Sequence, residues 1–142
     1  MKEIRTETEI KASPAKVWQV LTDFENHSKW NPFIRSIRGD KTEGGRLQAE
    51  LSPPGSGSMK INPEILVFEK EKEFRWKGKI LLPGIFDAEH YFLLSKNGNG
   101  STRFVHGEKF NGILVGALGR VLERTMQGFE QMNEALKKEC EK

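Results

Sequence analysis

Residues 112–140 read GILVGALGRVLERTMQGFEQMNEALKKEC, and their spacing decides the fold. Leu114, Ala117, Leu118, Val121, Leu122, Thr125, Phe129, Met132 and Leu136 recur at three- and four-residue intervals, the apolar stripe of one long helix whose other face is Glu and Lys. Gly112, Gly116 and Gly119 fall in its first turns, where each lowers helix propensity by roughly 1 kcal/mol relative to alanine. They leave room there for a ligand, an entrance or a closely approaching backbone.

A helix with one apolar stripe must bury it, and the chain before it supplies a sheet. Strand patterning runs over Phe33–Gly39, Arg46–Leu51, Met59–Phe68, Phe74–Leu82, Phe86–Ser95 and Thr102–Phe110. Turn-forming clusters separate most of these: Thr42-Glu43-Gly44-Gly45, Pro53 to Ser58, Pro83-Gly84 and Asn97-Gly98-Asn99-Gly100. Between Phe68 and Phe74 only the charged run EKEKE intervenes. No helical pattern stands between the strands, so the sheet is an antiparallel meander and the class is α+β.

The beginning of the chain adds one more strand. Ile4, Thr6, Thr8 and Ile10 alternate with charged residues over 3–11, a half-buried pattern. Ser13-Pro14 then starts a helix, serine as the cap and proline at the first helical position, with Val17, Trp18 and Leu21 inward. Residues 23–29, DFENHSK, form a second short helical turn that Asn31-Pro32 ends.

The last two strands can be set in register by requiring their apolar faces to coincide. A turn centred on Gly98 places Phe92 opposite Phe104, His90 opposite His106 and Ala88 opposite Glu108, with Leu94 and Phe110 on the same face and Arg103 and Lys109 on the other. Two imidazoles and a carboxylate among aromatic rings cost free energy unless they find partners. Those partners are each other, buried water, or the polar group of a ligand, unless this face is the solvent side.

Composition narrows the functional classes. The 142 residues form a single domain, 1–142, with 36% hydrophobic and 30% charged residues and no apolar run near the ~20 that a membrane span needs. Net charge is +3, with Lys/Arg interleaved among Asp/Glu rather than clustered, which argues against nucleic acid as a partner. The first residues, Met1-Lys2-Glu3-Ile4-Arg5, lack a secretory pattern, so a cytoplasmic location is expected. The single cysteine, Cys140, reads as an exposed, incidental thiol. Neither glycine-rich stretch ends in Gly-Lys-Ser/Thr before a helix, no His/Cys group has metal-ligand spacing, and no nucleophile signature is present. No metal, cofactor or assigned catalytic residue is expected.

The chain resembles the START/pathogenesis-related superfamily with the helix-grip fold, also called SRPBCC, in its polyketide cyclase/dehydrase and lipid-transport branch. The resemblance covers essentially the whole chain. It is carried by Ala12-Ser13-Pro14-Ala15-Lys16-Val17-Trp18, Leu21-Thr22-Asp23-Phe24, Trp30-Asn31-Pro32-Phe33, Glu89-His90-Tyr91-Phe92, Gly100 to Phe104 and Glu108-Lys109-Phe110-Asn111-Gly112. It implies a seven-stranded antiparallel sheet gripping the long C-terminal helix, two short helices after the first strand, and an apolar cavity between sheet and helix. Residues 53–58, PPGSGS, stand where the plant branch carries its glycine-rich loop, which they do not match. Similar folds serve as lipid carriers, hormone receptors, aromatic cyclases, ubiquinone-binding proteins and chaperone co-activators, so function rests on the site.

The leading expectation is binding, or transport, of a hydrophobic small molecule such as a lipid or aromatic polyketide-like compound. His90, His106 and Glu108 would select its polar group, with Trp30, Phe92, Phe104, Leu118, Leu122 and Phe129 as walls. Two other readings stand beside it: a cyclase or dehydratase using His and Glu as acid and base, and a protein-interaction module with a filled interior.

Overall fold

The computed structural model describes residues 1–79, 87–112 and 119–142. Strand β1 (Lys2–Ile10) buries Ile4, Thr6 and Ile10 as the alternation predicts. Helix α1 (Pro14–Thr22) follows: the Ser13 hydroxyl accepts from Lys16 N at 3.2 Å, a cap that contributes about 1 kcal/mol. Val17, Trp18 and Leu21 face inward.

A 3-10 turn (Phe24–Asn26) and a one-turn helix α2 (His27–Trp30) brace the next corner. Asn31 holds it, its Oδ1 accepting from the amides of Phe33 and Ile34, both at 2.9 Å. His27 is fully enclosed in the same knot, bonded to Leu21 O at 2.6 Å and to Asn31 Nδ2 at 3.1 Å.

The strands that follow are β2 (Ile34–Gly39), β3 (Leu47–Leu51), β4 (Met59–Ile61), β5 (Glu64–Glu69), β6 (Glu73–Lys79), β7 (Asp87–Lys96) and β8 (Thr102–Asn111). They form two antiparallel sheets, of order β1-β8-β7-β6-β5 and β2-β3-β4, and not one seven-stranded sheet. The difference lies at Asn62-Pro63, inside the stretch expected as one strand from 59 to 68. Proline has no N–H to give the ladder, so pairing stops and the halves join different sheets. The sheets stay linked through the Arg46–Glu64 bridge and the bonds Leu47 N to Pro63 O and Ile65 N to Gly45 O, both 2.9 Å.

The β7–β8 register also differs from expectation. The connection is the five-residue loop Asn97–Ser101, with Gly100 N donating to Asn97 O, Asn97 N donating to Ser101 O, and Gly100 at φ +85. A five-residue loop with a left-handed glycine before its last residue puts the centre at Asn99, not Gly98. Each partner moves by two residues: His90 lies opposite Glu108, Phe92 opposite His106 and Leu94 opposite Phe104. Because the side-chain period is two, every residue keeps its face.

Helix α3 (Gly119–Cys140) crosses the inner face with Thr125, Gly128, Phe129, Met132, Asn133, Leu136 and Cys140 buried. Gly112 is not helical; it follows β8 at φ +135. Residues 113–118 of the expected helix, Gly116 among them, and the Pro83-Gly84 turn lie outside the described residues. Val121 and Met126 are exposed near the start of α3. The other end is fastened: Lys137 Nζ donates to Glu9 O, Lys11 N donates to Glu141 Oε2, and Cys140 is buried rather than exposed, its thiol pushed up to about 12 by burial. Gly128 lets the Phe33 ring reach the helix, since a Cβ there would meet Phe33 Cδ1 at 2.6 Å. No helix among the described residues is long and apolar enough to cross a membrane.

Candidate functional site

His90 on β7 and His106 on β8 point inward by strand alternation and are completely buried between the five-stranded sheet and α3. Their Nε2 atoms are 2.7 Å apart. Around them the core is aromatic. Phe129 lies face to face with His106 at 4.0 Å between centroids, Trp76 stacks on His90 at 4.7 Å, and Phe92 sits 4.6 Å from His106. Phe33 and Phe104 close the cluster from β2's approach and from β8.

The polar atoms form one chain with a single direction. Thr6 donates to His106 O at 2.8 Å, so its hydroxyl oxygen accepts from Asn133 Nδ2, also at 2.8 Å. That orients the Asn133 amide, leaving Oδ1 to accept from His106 Nδ1–H at 2.9 Å. His106 Nε2 is therefore a bare lone pair, and the proton between the rings belongs to His90 Nε2. His90 Nδ1 is then also bare; it is buried without a hydrogen-bond partner, and Glu108 Oε2 lies 3.6 Å away.

Burial sets the charge state of all three groups. It pushes His90 down to about 3 and Glu108 up to about 8. His106 is held well below the usual histidine value, first by burial and then by the neighbouring His90, against the opposing bond to Asn133. At neutral pH the rings are uncharged and Glu108 is a carboxylic acid. The approach of Glu108 to His90 is thus between neutral groups.

Of the residues expected to form the site, His90, Phe92, Phe104, His106, Glu108 and Phe129 come together. Phe92, Phe104 and Phe129 are fully buried and packed against one another or the histidines. Leu122 packs half-buried at the edge of the core. Leu118 lies outside the described residues. Trp30 is elsewhere: it packs on His27 at 5.0 Å and lines a groove of about 310 Å³ with Val20, Asp23, Lys29 and Glu139. Thr6 and Asn133 were not among the expected site residues. Asn133 could have been found from the helix period, because it falls on the same face as Phe129 and Met132. No three His, Cys, Asp or Glu side chains converge as a metal site among the described residues.

The arrangement is an α+β frame whose long helix closes over a buried, neutral polar chain ending at a carboxyl. The chain belongs to the polyketide cyclase/dehydrase and lipid-transport family, whose pattern matches residues 1–141. Solved structures with the same fold include hypothetical protein jhp0584 from Helicobacter pylori, at 21% identity and TM-score 0.79 over 98% of this chain and 88% of that one. Protein TTHA0849 from Thermus thermophilus is 20% identical, with a TM-score of 0.75 over 98% and 97% of the two chains. A START superfamily protein from Mycobacterium smegmatis is 17% identical, with a TM-score of 0.75 over 98% and 97%. No curated protein matches the sequence.

Proposed function

We propose that this protein binds a hydrophobic small molecule, a lipid or an aromatic polyketide-like compound, at the Glu108 end of the space between sheet and α3. The observation that carries the reading is Glu108 itself. The residue is 7% exposed, its carboxyl makes no hydrogen bond to any described residue, and it stands at the rim of an aromatic core. Burying a carboxyl without partners costs free energy that a ligand's polar group would recover.

Phe92, Phe104, His106 and Phe129 are fully buried and in ring contact, and in this reading they form the floor of the site. Leu122 is the wall on the helix side, and the exposed Val121 and Met126 offer apolar surface near the way in. Family membership supports the class of ligand. Native mass spectrometry of protein purified from its own host, followed by denaturing extraction, tests it: a stoichiometric hydrophobic compound is expected, and consistently empty protein counts against it.

One observation favours a second reading, an enzyme of the cyclase or dehydratase type. A bare imidazole nitrogen beside a neutral carboxylic acid is a base and an acid 3.6 Å apart. This reading requires turnover of an enolisable ketone that His90→Gln removes while ligand binding persists.

A further inference from the structure

The direction of the buried chain extends to its open end, and it says which kind of ligand group that end takes. Each link fixes the next: Thr6 donates to the His106 carbonyl, Asn133 to Thr6, His106 to Asn133 and His90 to His106. The fully buried lone pair of His90 Nδ1 then needs a donor, and among the described residues Glu108 is the polar side chain beside it. A neutral carboxyl has a single hydrogen. At 3.6 Å Oε2 stands just beyond hydrogen-bond reach of Nδ1; a ligand that seats the carboxyl closes this gap, Oε2–H turns to His90, and the remaining oxygen has only lone pairs to offer.

We propose that Glu108, oriented through His90, His106 and the positioning residue Asn133, presents a hydrogen-bond acceptor to the ligand and so selects an alcohol or phenol over an ether, ketone or ammonium of the same apolar shape. This rests on the binding reading given above. The acid form is kept by burial, which holds the Glu108 carboxyl up to about 8. Among the described residues, the groups facing Glu108 are His90 from β7, Ile4 directly across on β1, and Lys2 further along that face at the exposed start of β1. The α3 residues packed over the histidines, Phe129 and Asn133, carry no charge.

The discrimination follows from what each group does at an acceptor. A hydroxyl donates and completes a chain in which each bond polarises the next. An ether or ketone oxygen meets Glu108 lone pair to lone pair, and both stay unsatisfied. An ammonium loses its hydration, and to gain a counter-charge it must first displace the proton that burial holds on Glu108.

Three probes with one apolar body test this: 2-naphthol, 2-methoxynaphthalene and 2-naphthylmethylammonium, titrated into the full chain at pH 6.5. Naphthol is expected to bind about tenfold more tightly than the methyl ether, the factor that one net hydrogen bond supplies. Glu108→Gln keeps a donor for His90 and an acceptor for the ligand, so it retains the preference. Glu108→Leu abolishes it. Imidazole ¹⁵N spectra give an independent readout, with His106 expected as the Nδ1–H tautomer and His90 as the Nε2–H tautomer. Ether binding as tight as naphthol binding, preferred binding of the ammonium, or the opposite tautomer on either ring overturns the inference while leaving apolar enclosure standing. Failure of all three probes to bind overturns it together with the binding reading.

Discussion

His106 Nδ1 sits 2.9 Å from Asn133 Oδ1, and this one bond between β8 and α3 decides where the protons of the interior reside. An amide whose nitrogen is committed to Thr6 can only accept from the ring. The tautomers of both histidines follow.

Replacing Asn133 by leucine removes that acceptor, leaving His106 Nδ1–H without a partner and the Thr6 hydroxyl with only its bond to His106 O. The expected loss is ~1–3 kcal/mol of stability, the usual penalty for an orphaned buried polar group. Urea denaturation checks the loss, and tautomer exchange in the His106 ¹⁵N spectrum separates it from simple packing damage. Asn133→Asp is expected instead to raise the His106 pKa, because a buried carboxylate favours the imidazolium.

Stability is expected to peak near pH 6.5. His90 is held down to about 3, so between that value and 6.5 the unfolded chain binds protons that the folded one refuses, and stability rises with pH. Glu108 works in the opposite sense. With a folded pKa of about 8 it keeps a proton that the unfolded chain has released above about 4.5, so stability falls as pH rises toward 8. His106 and His27, also held low by burial, act with His90, so the three histidines outweigh the carboxyl below 6.5, and above it the carboxyl opposes them no longer but lowers stability by itself. Thermal midpoints measured from pH 4 to 9 trace the curve, and Glu108→Gln should flatten its alkaline limb and steepen the acid limb above about 4.5.

Gly128→Ala is expected to destabilise the protein although alanine is the better helix former. The gain in propensity is about 1 kcal/mol. The new methyl would stand 2.6 Å from the Phe33 ring, which is itself 1% exposed and pinned against Phe129, and overpacking of this kind costs about 1–3 kcal/mol. A lower denaturation midpoint is the expected result.

Trp30→Ala should leave ligand binding unchanged, since Trp30 packs on His27 and lines a groove away from His90 and Glu108. Binding of 2-naphthol measured side by side with the unaltered chain checks this. A large loss of affinity would return Trp30 to the site.

Much of the fold was legible because it depends on local rules. The alternation of Ile4, Thr6 and Ile10, the Ser13-Pro14 start and the stripe of Phe129, Met132 and Leu136 are each read from a short window. What was misread depends on single backbone positions. Pro63 divides a run that hydrophobicity alone joins, and a left-handed Gly100 moves the hairpin centre by one residue and every cross-strand partner by two. The polar chain was half legible. His90, His106 and Glu108 were placed on one face because strand period survives a two-residue shift, but Asn133 became visible only when helix and sheet met. Cys140 was misread because chain position was taken for exposure, whereas the last turn of α3 is packed down.

That packed last turn makes α3 a cantilever. Its root is clamped at Cys140, Lys137 and Glu141 against the end of β1 and the residue after it, and its first described turns expose Val121 and Met126. A load applied near the tip, such as a molecule wedging between helix and sheet, bends the beam about the root, so displacement grows toward Gly119. Amide exchange should record this as a gradient along α3, slowest near Leu136 and fastest near Val121, which an occupied site would level.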